Sequence, residues 1–290
     1  MATNRSRPDR CPGIVHPWLA EDGGLVRIRI PGGRVSLTAL QALVAVAEEY
    51  GDGRVRLTAR ANLQVRAMPV DGDSGDRLAE PALVALEATG LLPSREHDRI
   101  RNVLVSPQTG ISGGRADLRP VVAALDALLL GDPTLAGLPG RFLFTLDDGR
   151  GDLADRHRDL GLVALSADTV QLRVGTGFGA VVPLVDAAAA IGDLARLFLA
   201  ARGEGPEAPW HVTELPEPLT DPVAPAPGAD ITSAPLAFGP VAGGEHVQVD
   251  ETGIDASMVA SMLASRNGRG DLVVVTPWHG VLIPEENRNE

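Results

Sequence analysis

The stretch from Gly23 to Met68 constrains the fold of this chain more than any other. Leu25 to Ile30 alternates apolar residues with arginine, the two-residue period of a half-buried strand. Pro31-Gly32-Gly33 breaks that strand. Ser36 then stands where a helix N-cap is expected, and Leu37, Leu40, Val44 and Ala47 follow at helical spacing. Gly51 offers a left-handed stop, and Asp52-Gly53 turns the chain into a second strand over Arg54–Thr58. Arg27 and Arg29 lie on the first strand; Arg56, Arg60 and Arg66 lie on or just after the second. If the two strands pair, these guanidiniums crowd one patch. No lysine occurs anywhere in the chain.

Composition narrows what such a patch can bind. The net charge is −12, which disfavours non-specific nucleic-acid binding because that needs a broad basic face. Aromatic residues are only 3% of the chain, too few for stacking platforms for single strands. Arginine concentrated locally within an acidic whole suits a specific anion site. Cys11 is the only cysteine, so one chain holds neither a disulfide nor the four thiolates of an iron–sulfur cluster. The polar N-terminus lacks the apolar core of a signal peptide. The most apolar run, Val181 to Leu199, is interrupted by Asp186, Asp193 and Arg196 and is no membrane span. The expectation is a cytoplasmic, soluble protein.

Five regions follow in order. Residues 1–22 read as an N-terminal arm, with Cys11 a free thiol, and 23–75 as the strand–helix–strand unit. Residues 76–202 read as a central α+β domain, with helices over Asp76–Leu91, Arg119–Leu130 and Leu184–Ala201 and strands over Arg141–Thr145, Leu162–Leu165 and Val170–Val174. Residues 203–235, rich in Pro, Glu and Ala, read as a linker. Residues 236–285 repeat the opening pattern: strand material to Val249, a helix capped by Asp255, and a strand over Leu272–Val275. The expected architecture is therefore α+β, with two copies of one unit flanking the central domain.

Several ordered motifs carry a resemblance. LVRIRIPGGRV and VRLTARANLQVR, at Leu25–Val35 and Val55–Arg66, resemble the ferredoxin-like half-domain of sirohaem nitrite and sulfite reductases and of the related precorrin-3B synthases. RNVLVSPQTG from Arg101, LPGRFLFTLDDGRGD from Leu138 and TPWHGVLIP from Thr276 resemble later segments of the same family. The resemblance implies two ferredoxin-like half-domains, as a pseudo-repeat, flanking a sirohaem-reductase-like α+β domain. It implies a sirohaem or precorrin-type tetrapyrrole as ligand, with Arg27, Arg60 and Arg101 at arginine positions of the site. Arg141 stands where the family has the first lysine of Lys-Phe-Lys, and Leu143 where reductases have the second. Asn62, Gln64 and Asn102 read equally as ligand contacts or as loop-ordering residues. His279 occupies the arginine position of Thr-Pro-Trp-Arg-Gly and can donate to a carboxylate or ligate iron. A tetrapyrrole with up to eight carboxylates matches arginine, which meets each carboxylate with two charge-assisted hydrogen bonds.

The departures bear on activity. The family carries a further C-terminal module whose four cysteines hold a 4Fe–4S cluster, and those cysteines are absent here. The leading expectation is a shortened precorrin-3B synthase-like oxidoreductase of cobalamin biosynthesis. One alternative is a nitrite or sulfite reductase homologue that takes its cluster from a partner chain. Another is a non-catalytic tetrapyrrole-binding or assembly protein. A cluster-bearing partner or self-association is expected; nucleic acid and membrane are not. No residue stands out as catalytic. The other histidines are scattered without ligand spacing, so no metal site is expected, and Arg29, Arg54, Arg56 and Arg66 read as the solvent face of a sheet. The acidic turn Asp147–Asp152 reads as a solvated loop, and Gly175–Gly179 as a hairpin or bend.

Overall fold

A computed structural model of the chain describes Asp9 and residues 11–71, 76–266 and 270–285. It is a mixed α+β structure of two compact units. One holds Cys11–Asp98 and the chain from Leu236 onward; the other holds Arg99–Pro235 with Asp9.

The first unit begins with strands β1 (Trp18–Ala20), β2 (Gly23–Ile28) and β3 (Arg34–Ser36). Helix α1 (Leu37–Tyr50) follows, with the Ser36 hydroxyl accepting from the Ala39 amide as the N-cap predicts. Leu37, Leu40, Leu43, Val44 and Ala47 form its buried face. The return strand is shorter and later than the sequence suggests. It divides into β4 (Arg56–Leu57) and β5 (Leu63–Met68), separated by a five-residue turn. Two short strands, β6 (Val70–Asp71) and β7 (Arg77–Leu78), pair antiparallel, and helix α2 (Glu80–Ala88), shorter than its predicted span, packs on α1. After residue 235 this unit resumes with β13 (Gly239–Val241), β14 (Gly244–Gln248), α5 (Ala256–Arg266), β15 (Leu272–Thr276) and β16 (Gly280–Pro284), numbered after the elements of the second unit.

Two antiparallel sheets result, in the orders β1-β2-β5-β4 and β13-β14-β16-β15-β3. The two halves repeat each other element by element. Asp255 caps α5 through the Met258 amide as Ser36 caps α1. The halves also complete each other. Strand β3 of the first half pairs with β15 of the second, Val35 opposite Val273. In return Ile254, just ahead of α5, bridges to Val55, just ahead of β4. Helices α1 and α5 pack together.

This exchange depends on Gly33. Its φ is +71°, and a Cβ there would collide with the backbone carbonyl of Val275 on β15. Only glycine supplies both the left-handed backbone and the close approach.

In the second unit the sheet order is β12-β11-β10-β9-β8: β8 (Val103–Val105), β9 (Phe144–Asp147), β10 (Leu160–Ala164), β11 (Thr169–Val174) and β12 (Gly177–Pro183). Strands β8, β9 and β10 are parallel neighbours, and β10-β11-β12 is an antiparallel meander. Helices α3 (Arg119–Gly131) and α4 (Ala187–Arg202) pack on each other over a core containing Phe142, Phe144 and Phe198. The Gly-rich run at 175–179 is the β11–β12 hairpin, as its composition suggests. Residues 203–235 have little regular structure but do not hang free. Gln171 bonds the backbone of Ala224 and Ala226, and Val223 bridges to Phe178.

Gly33→Ala is expected to lower the unfolding free energy by more than about 2 kcal/mol, combining left-handed strain with the backbone collision. Denaturant titration checks it; an unchanged midpoint would show that the half-to-half pairing does not need the glycine.

Candidate functional site

Three arginines of the patch are paired with carboxylates of the chain itself. Arg54 pairs with Asp255 at 2.6 Å, Arg56 with Asp52 at 2.6 Å and Arg66 with Asp22 at 2.9 Å. These are partly exposed ion pairs of small individual value. Arg29 differs from the expected solvent-face arginine. It is 2% exposed, and its guanidinium donates to the carbonyls of Pro12 and Asp98 and to the Cys11 sulfur at 3.4 Å. It therefore ties down the start of the chain. Cys11, expected to be loose, is buried beneath it. The reason is register: residues 27 and 29 project on the side of β2 that residues 11–14 cover, the Arg27 amide bonding the Gly13 carbonyl.

Arg27 lies opposite Gln64 in the β2–β5 ladder. One terminal nitrogen donates to Gln64 Oε1 at 3.3 Å and the other to Cys11 Sγ at 3.6 Å. Its Nε is buried and has no hydrogen-bond partner among the described residues. Beyond Gln64 comes the five-residue turn Thr58-Ala59-Arg60-Ala61-Asn62. The Thr58 hydroxyl accepts from the amides of both Arg60 and Asn62, and Ala61 takes φ +55°. Asn62 is buried, its Oδ1 accepting from the Ile30 amide, so it joins this turn to the end of β2. The turn is thus rigidly built and carries Arg60 on its tip.

The second half has the corresponding turn, Thr276 to Gly280, with His279 at φ +58° in the place of Ala61 and Trp278 in the place of Arg60. His279 is exposed. By ladder position the counterpart of Arg27 is His246, opposite Leu282. It is fully buried, bonds the Thr276 hydroxyl at 2.9 Å and stacks on Phe238. Burial holds its imidazole below the usual histidine range, although the Ala237 and Leu236 carbonyls oppose this. The second half therefore presents a neutral group where the first presents a guanidinium. Sequence reasoning passed over His246, because its equivalence to Arg27 exists only in strand register.

Arg101, Asn102 and Arg141 lie in the other unit. Arg101 is nearly buried and bidentate to Asp126 at 2.6 and 2.7 Å, so an internal carboxylate occupies its fork. Asn102 is buried and orders its loop by donating to the carbonyls of Arg99 and Gly140. Arg141 sits 5.0 Å over the Trp210 ring and 3.5 Å from Asp9.

The acidic turn in the same unit is a closed polar network and not a solvated loop. Asp147 and Asp148 are buried. Asp147 Oδ1 accepts from the amides of Gly149 and Gly151; Asp148 holds Arg150 in a fork, and Arg150 also bonds Gln108. Asp152 accepts from Ser106 Oγ at 2.7 Å. Burial, with the Asp147 charge, pushes the Asp152 carboxyl up to about 7 against the opposing Ser106 bond and Arg150 charge.

The paired turns define the class, an α+β protein built on a duplicated ferredoxin-like half. Residues 19–71 match the nitrite/sulfite reductase ferredoxin-like half domain. The chain is 29% identical to a precorrin-3B synthase of Sinorhizobium sp, over 46% of this chain and 34% of the relative. It is 28% identical to a ferredoxin–nitrite reductase of Leptolyngbya laminosa, over 48% of this chain and 28% of the relative. These matches span about a third or less of the relatives' length. The structure of the Mycobacterium tuberculosis NirA protein aligns with TM-score 0.66 over 96% of this chain and 60% of that one. At 18% identity this establishes likeness of fold. Among the described residues no helix is long and apolar enough to cross a membrane.

Two outcomes follow from the second unit. Arg101→Ala leaves the half-buried Asp126 without its partner and should cost about 1–3 kcal/mol in the absence of any ligand, read by denaturant titration. Asp152 is raised above its ordinary 3.8 to about 7, so the folded state keeps a proton that the unfolded chain has shed. The associated stability is present below about pH 4 and is lost as pH rises through 7. Asp152→Asn should flatten the fall in thermal midpoint between pH 5 and 8; equal slopes in variant and wild type would contradict this.

Proposed function

We propose that this chain binds a polycarboxylate tetrapyrrole through the first half-domain, as a cytoplasmic precorrin-3B synthase-like oxidoreductase. The observation that carries the reading is the Arg27 Nε, a buried donor without a hydrogen-bond partner among the described residues. An unmade bond at a charged donor costs free energy, and a shift of the Arg27 side chain that brings this buried Nε against a ligand carboxylate would restore the bond. Arg60, on its Thr58-buttressed turn, supplies the second guanidinium, and Gln64 already holds one edge of Arg27. The relatives named above support a redox reaction class. A ring bound at this turn would supply the conjugated system on which such chemistry acts; the arginines would bind and orient its carboxylates.

A 4Fe–4S cluster does not fit this chain. It needs four thiolates, and the one cysteine is enclosed by Arg27 and Arg29. The thiolates of any cluster would come from outside these residues. A second reading is a tetrapyrrole-binding protein without turnover of its own.

Sirohaem titrated into the purified protein should give a saturable shift of its Soret band. Arg27→Ala and Arg60→Ala should each weaken binding roughly tenfold or more, the equivalent of about 1.5–3 kcal/mol per charged hydrogen bond. Unchanged affinity in both variants, with the fold retained by circular dichroism, would sink the tetrapyrrole reading. Oxygen consumption with a precorrin substrate separates the enzyme from the pure binder.

A further inference from the structure

Outside this site, the structure gathers two histidines and an aspartate from distant parts of one unit: His157, Asp159 and His211. His157 Nε2 lies 3.1 Å from His211 Nδ1. His211 Nδ1 lies 3.2 and 3.3 Å from the two Asp159 oxygens, and His157 Nε2 lies 3.7 Å from Asp159 Oδ2. We propose that these three side chains form a binding site for one divalent transition-metal ion of the zinc–cobalt type.

The separations fit a shared ion. With metal–ligand bonds of about 2.0–2.1 Å, two donors at right-angled to tetrahedral positions stand about 2.9–3.4 Å apart. Two of the three edges fall in that range, and the third, at 3.7 Å, involves the exposed His157, whose side chain is 48% exposed and can turn inward. Two imidazole nitrogens with one carboxylate are the donors zinc, cobalt and nickel prefer over calcium or magnesium. Three protein ligands leave a further position for water or another small ligand.

The frame around the cluster is also built as metal sites are. Asp159 is 1% exposed, and each of its oxygens takes one backbone amide: Leu143 at 2.8 Å and Val212 at 3.0 Å. A carboxylate has about four lone-pair positions, so two remain to face the histidines. Backbone donors of this kind fix a ligating carboxylate in one orientation. His211 is fixed in turn, since its own amide and that of Trp210 donate to Glu214 Oε2. Hydrogen bonds alone serve the cluster poorly. Whichever tautomers two neutral imidazoles adopt, the His157–His211 and His211–Asp159 contacts cannot both be straight hydrogen bonds, whereas one cation satisfies all three groups as acceptors. Val212, whose amide bonds Asp159, also lines a cavity of about 410 Å³ with Gly175, Phe178 and Leu219.

The test uses the full chain after dialysis against a chelator. Titrated Co²⁺ should bind with 1:1 stoichiometry and give visible d–d absorption, which added Zn²⁺ displaces. His157→Ala, at an exposed position that leaves the fold intact, should weaken Co²⁺ binding at least tenfold, and His211→Ala likewise. His16→Ala, a change at an exposed histidine of the other unit, should leave it unaltered. Absence of saturable binding, or equal affinity in His157→Ala and wild type, would overturn the proposal.

Discussion

The exchange of strands between the two half-domains is the constraint on which the first unit depends. Neither half closes its own sheet. Strand β3 leaves the first half to pair with β15, and Ile254 of the second half returns to Val55. Each helix therefore starts within two residues of one held by the opposite half. Sequence intervals of 199 residues (Val55 to Ile254) and 238 residues (Val35 to Val273) are spanned by backbone pairing, so the halves are expected to fold as one cooperative unit. Gly33 permits the closest of these approaches. The turns that carry Arg60 and His279 inherit their geometry from this arrangement.

Duplication then allows the halves to diverge at matched positions. Arg27 and His246 occupy corresponding ladder sites, as do Arg60 and Trp278 on corresponding turns. One half offers cations, with an Arg27 donor not yet satisfied. The other offers a buried neutral imidazole stacked on Phe238. The backbone is repeated and the electrostatics are not. Most remaining arginines are committed to carboxylates of the chain itself, which reconciles a locally arginine-rich segment with an acidic protein.

Periodic features were legible. The Ser36 and Asp255 caps, the apolar stripe of α1 and the repeat of strand, helix and strand follow from local spacing, and local hydrogen bonds realise them. The β11–β12 hairpin was legible from its glycines. Partner choice was not. Arg29 read as a surface residue because alternation along a strand marks two faces without saying what covers each. The arm at Cys11–Gly13 covers this one. The acidic turn read as solvated because composition cannot reveal that Ser106, Gln108 and Arg150 close over it. The cluster of His157, Asp159 and His211 escaped a search for ligand spacing because His211 lies 52 residues from Asp159 and reaches it through a loop.

By itself the sequence determined the α+β class, the duplicated half-domain and the positions of its helices, because these rest on hydrophobic period and capping chemistry within a few residues. Tertiary structure alone decided which guanidiniums are spent. Arg101 is closed by Asp126, Arg29 by the chain's own start, and Arg27 keeps one buried donor unmet among the described residues. The physical reason is that a charge seeks whatever partner the fold brings within about 3 Å. Distance in the chain says nothing of that separation in space.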